Sequence, residues 1–142
     1  MKALLAACVA ALATAAVADP APAPVDPAVR AEVERGASAA FDCYARFSAL
    51  TQSADFAACA QRAHADNQQR MRQGNAAFDA GLYFRAAQYM RIKIEVLQDG
   101  DPGNSNIATL KSVLGPLEAG SDAADAELHI SYDAVRAILT IE

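Results

Sequence analysis

An all-α fold of about five helices is what this sequence predicts, and three observations carry the prediction. Apolar residues recur at alternating spacings of four and three along most of the chain after residue 27, which paints one stripe on a helix and none on a strand. Helix-start and turn signals punctuate the stripes, at Asp26-Pro27, Thr51 to Ser53, Asp99 to Asn104 and Gly120-Ser121. Only Leu139 to Ile141 reads as strand, and it is too short to pair usefully.

Residues 1–18, MKALLAACVAALATAAVA, place one lysine before an unbroken apolar run that ends in small residues ahead of Asp19. That is the layout of a signal peptide cleaved after Ala18, so the expected location is periplasmic or secreted. Leu5-Ala6-Ala7-Cys8 also spells a lipoprotein cleavage box, but too few apolar residues precede Cys8 for it to be the preferred reading. The run falls short of the roughly 20 apolar residues that a membrane span needs, so no stable span is expected after cleavage. Residues 19–27, with four of the six prolines, read as an extended Pro/Ala-rich linker, and residues 28–142 as a single α-helical domain.

Asp26 caps the first helix, with Pro27 at its first position, and the stripe Val29, Val33, Gly36, Ala40, Cys43, Phe47, Leu50 carries it to about Leu50. Ser53 caps a second helix with Asp55 in its first turn and the stripe Phe56, Cys59, Ala60, Ala63. Cys43 and Cys59 lie symmetrically about residue 51. In an antiparallel pair they come to the same height on facing stripes, so they are expected to form a disulfide. Two readings remain for the stretch that follows. A break could fall at His64 to Asn67, or one helix could run from Ser53 to Ala80, and the continued four-and-three spacing prefers the single helix. Gly81 is read as its end, with the next helix running from Tyr83 to about Leu97. Asn104 or Ser105 starts another helix, which Gly115-Pro116 bends or stops near Leu117, and Ser121 caps a last one out to Leu139.

Gly74, Asn75, Gly81, Tyr83, Ala86 and Tyr89 sit where one tetratricopeptide repeat has its Gly-Asn pair, its turn glycine and aromatic, its small residue and its second aromatic. Residues 67–97 thus resemble a single degenerate tetratricopeptide repeat. The chain departs from the pattern at Lys93, where a small residue is usual, and at Pro102, which comes late. The resemblance implies a TPR-like helix pair, so the expected fold is a disulfide-stapled antiparallel hairpin followed by that pair and C-terminal helices. It also implies a partner groove lined by Gln68, Met71, Arg72, Asn75, Phe78 and Asp79. In repeats that grip a peptide carboxylate an asparagine stands at the place of Asn75, and Arg72 one turn earlier could add charge-assisted bonds.

Charge is uneven. Residues 61–93 hold six basic residues against two acids, and residues 94–142 hold nine acids against two bases. Net charge is −5, and −6 once Lys2 leaves with the signal, which argues against nucleic acid as partner. His64 and His129 are the only histidines and belong to no HExxH-like set; the serines fall in no GxSxG or SxxK context. No CxxC occurs, and Asp99, Asp101 and Asn104 fail the calcium-loop pattern because its closing acid would be Leu110. No cofactor, metal or catalytic residue is therefore expected. The expected function is a helical module that binds a protein or peptide in the cell envelope. A stapled inhibitor or immunity-type protein is the alternative, with a small-ligand carrier behind it.

Overall fold

A computed structural model describes residues 24–49, 52–71 and 75–140. The expected signal peptide, Cys8, most of the linker, and Arg72 lie outside the described residues. Five helices follow one another: α1 Pro27–Arg46, α2 Ser53–Met71, α3 Ala76–Gly100, α4 Asn106–Leu128 and α5 Tyr132–Leu139. The described residues contain no strand.

The start of α1 is set by its cap, since Asp26 Oδ1 accepts from the Ala28 N–H at 2.7 Å with Pro27 next in line. It ends at Arg46, a turn before the expected Leu50, where Phe47 turns out of the helix. The Lys93 ammonium donates to the Phe47 carbonyl at 3.3 Å and lies 5.2 Å from the centre of the Tyr44 ring. Lys93 is buried, and burial holds its pKa below the ordinary lysine value. The residue that departs from the repeat pattern thus ties α3 to the end of α1.

The centre of the fold is α3. Phe78, Leu82, Ala86, Met90, Ile94 and Leu97 bury one side in a cluster with Ala40, Cys43, Phe56, Ala60, Leu110 and Leu117. Ala77, Ala80 and Phe84 bury another side with Val33, Ala37, Ala124, Val135, Ile138 and Leu139. A helix apolar nearly all round has to be wrapped by its neighbours.

This helix corrects the sequence expectation. α2 stops at Met71 and α3 begins at Ala76, so residues 53–80 are not one helix. Asn75 caps α3, its Oδ1 accepting from the Phe78 N–H at 3.0 Å. Gly81, read as the end of a helix, lies inside α3. The glycine has a different use. A Cβ on Gly81 would stand 1.9 Å from the Val33 carbonyl oxygen, and one on Gly36 would stand 1.9 Å from the Phe78 carbonyl oxygen. The α1 and α3 backbones therefore touch where they cross, and packing there offsets the roughly 1 kcal/mol that a mid-helix glycine costs.

Boundaries moved in the C-terminal half as well. Pro116 sits inside α4, which continues to Leu128 instead of stopping near Leu117. Gly115 and Pro116 face solvent, where water can satisfy the carbonyl that proline leaves without its helical donor. Ser121 is a buried position within α4, and the cap of α5 is Ser131, whose Oγ accepts from the Ala134 N–H at 3.3 Å. Between them His129, at φ 55°, ends α4 in the left-handed conformation.

Two polar side chains are buried on α4 without hydrogen-bond partners, Ser121 at its Oγ and Asp125 at both carboxylate oxygens. Burial, and then the charge of Asp122, push the Asp125 carboxyl up to about 6 from an ordinary 3.8. The charged form is disfavoured in the folded chain, so the contribution of Asp125 to stability is full below pH 3.8 and is lost as pH rises through about 6. Asp125→Asn removes the charge. It is expected to raise unfolding free energy by about 1 kcal/mol at pH 7.5, after allowance for solvent screening, and to match wild type near pH 4. Urea titrations at the two pH values check this; the same gain at both would mean that charge is not the cause.

Candidate functional site

The disulfide fixes the geometry of the first site. Cys43 and Cys59 are bonded with their Cα atoms 5.7 Å apart, joining α1 to α2 as the symmetric placement about residue 51 predicts. Arg35 Nη2 also reaches Asn67 Oδ1 at 3.3 Å. Residue 35 meeting 67 while 43 meets 59 sets the two helices antiparallel. Between them lies an open groove of about 490 Å³, with the cysteines and Phe78 among its lining. Four arginines, Arg35 and Arg46 of α1 and Arg62 and Arg70 of α2, line it against two acids, Asp42 and Asp66.

These arginines fall into two pairs. Arg35 is held in place: it pairs with Glu32, reaches Asn67, and stands 5.1 Å from the centre of the Phe78 ring. Arg70 Nε donates to the Asp66 carbonyl at 3.3 Å. Arg46 and Arg62 make no hydrogen bond or ion pair among the described residues, although Asp42 and Asp66 stand one turn away on their own helices. The groove therefore has anchored cations at one end and open guanidinium forks beside the disulfide.

A second cluster lies where α2 meets α3 and α4. Asp79 is buried, and its Oδ2 accepts from Gln68 Nε2 at 3.0 Å. His64 Nδ1 stands 2.9 Å from Asp79 Oδ1, off the hydrogen-bonding direction, so neither atom has a hydrogen-bond partner. Tyr83 closes the cluster with its ring 5.8 Å from the imidazole, and burial, then the Asp79 charge, raise its hydroxyl above the ordinary tyrosine value. The cleft above is open, about 240 Å³, with Glu127 on its α4 side. His129 is exposed. No group of three or more His, Cys, Asp or Glu among the described residues could hold a metal ion.

The residues expected to line one partner groove are dispersed. Asn75 caps α3 and donates from Nδ2 to Glu32 at 2.8 Å. Phe78 is buried in the core and is among the residues lining the α1–α2 groove. Gln68 and Asp79 bond each other in the second cluster, Met71 is exposed, and Arg72 lies outside the described residues.

Arg35 and Arg46 lie outside the basic stretch of residues 61–93, so charge pattern alone does not find them. The signal was available in the cysteines. Once Cys43 is paired with Cys59, Arg46 and Arg62, each three residues past a cysteine, must flank the same bond.

No family model matches the chain, and neither a curated protein nor a solved structure shows significant similarity to it.

Proposed function

We propose that the chain is an exported, disulfide-stapled helical module that holds a protein or peptide partner in the cell envelope without turning it over. One observation carries this reading: the open groove between α1 and α2, walled by two helices that a covalent bond holds at fixed spacing. A disulfide fits an oxidising compartment, in keeping with the export signal read at residues 1–18. Among the described residues no helix is long and apolar enough to cross a membrane. The inhibitor alternative would put its binding energy in the loop before α4. There Asn104 bonds Asp101 through both side chain and backbone and accepts from the Asn106 N–H, so the loop's polar groups serve the start of α4.

Cross-linking in envelope extract with the oxidised mature chain tests the proposal. The expected result is a protein whose cross-links map to α1 and α2. Cross-links confined to α4 and α5, or no partner above a scrambled-sequence control, would overturn it.

A further inference from the structure

The groove's charge pattern says what chemistry it would take. This inference rests on the binding-module reading and adds to it the class of ligand. The lining cations are all arginine, whose planar forks match carboxylates in a two-point geometry that a lysine ammonium cannot copy. Among the described residues, Arg46 and Arg62 have no partner to satisfy those forks. They also stand in a fixed relation. Each lies three residues beyond a bridged cysteine, and because α1 and α2 run antiparallel, the two arginines are displaced in opposite directions from the disulfide. At 1.5 Å rise per residue, their Cα atoms are offset by about 9 Å along the groove.

That offset selects among anions. In a segment extended as polyproline II, three residues per turn at about 3.1 Å per residue put side chains three apart on one side, separated by about 9 Å. Asp42 and Asp66 interrupt the basic lining, so it presents separate positive points and no continuous positive strip. Discrete, spaced carboxylates fit such a lining, whereas a dense polyanion or an anionic membrane surface would meet the two aspartates and a chain of net charge −5. Arg35 and Arg70 at the far end add a further cationic stop for a longer segment.

We propose that the α1–α2 groove binds an extended acidic segment of a partner protein, with carboxylates three residues apart received by Arg46 and Arg62 across the Cys43–Cys59 bond. The carboxylates would form charge-assisted bonds at groove level, and affinity would fall with salt in proportion to the pairs formed.

Fluorescence anisotropy with the oxidised mature chain tests this, using a labelled ten-residue peptide with glutamate at every third position and its glutamine counterpart. The glutamate peptide is expected to bind at least ten-fold more tightly than the glutamine peptide. Arg46→Glu with Arg62→Glu should remove that preference. Arg30→Glu with Arg136→Glu, the same charge change made outside the groove, should leave it in place. Far-UV circular dichroism confirms that each variant is folded. Equal binding of the two peptides, an unchanged preference in the groove variant, an equal loss in the Arg30/Arg136 variant, or tighter binding of inorganic polyphosphate than of the glutamate peptide would each overturn the proposal. A cross-linked partner that still binds the groove variant would overturn this ligand assignment while leaving the binding-module reading in place.

Discussion

Gly81→Ala is expected to destabilise the domain by about 3 kcal/mol or more, although alanine is the better helix former by roughly 1 kcal/mol. The added methyl carbon would fall 1.9 Å from the Val33 carbonyl oxygen and 2.7 Å from its carbonyl carbon. These are backbone atoms inside α1, and no side-chain rotation can clear them. α1 must move away from α3, which opens the contacts that Val33, Ala37 and Ala40 make with α3. Thermal and urea unfolding of the single variant measure the loss. Gly100→Ala is the comparison, because a Cβ there meets nothing within 4 Å. A Gly81→Ala midpoint as high as that of Gly100→Ala would mean that the two backbones do not touch.

Replacing both cysteines, Cys43→Ser with Cys59→Ser, should cost about 3 kcal/mol, the chain-entropy value for a loop of this size. The loss should be local. α2 buries only Ser53, Phe56, Ala60 and Asn67, whereas α3 has thirteen buried residues spread from Ala77 to Leu97. Hydrogen exchange on the serine variant is expected to show protection lost mainly across residues 53–71, with the amides around Gly36 and Gly81 still protected. A cost below about 1 kcal/mol, or a uniform loss across all five helices, would contradict this account of how α2 is held.

The readable part of the fold came from local chemistry. Asp26 caps α1 ahead of Pro27 as its capping signal places it, α2 begins at Ser53, and Cys43 pairs with Cys59 as their symmetric spacing about residue 51 predicts. What was misread came from residues whose local and tertiary meanings conflict. A glycine inside an aromatic-rich stretch serves a turn or a close helix crossing equally well, and only the position of α1 decides between them. Gly115-Pro116 and Ser121 look like a stop and a start. Yet the burial of Leu117, Ser121 and Ala124 on one face carries α4 straight through them. The groove followed the same rule. Its α2 arginines belonged to a visible basic stretch, but Arg35 and Arg46 acquire their place only when the disulfide turns α1 toward α2.

The contrast between α2 and α3 bears on how the chain can vary. A single sulfur–sulfur link does for α2 much of what a broad apolar face does for its neighbours, and most of its outward positions bear no packing duty. Those positions can be rewritten to meet a different partner while the frame of α1, α3 and α4 stays as it is. The same scaffold could therefore be respecified, by drift or by an engineer, through one editable arm.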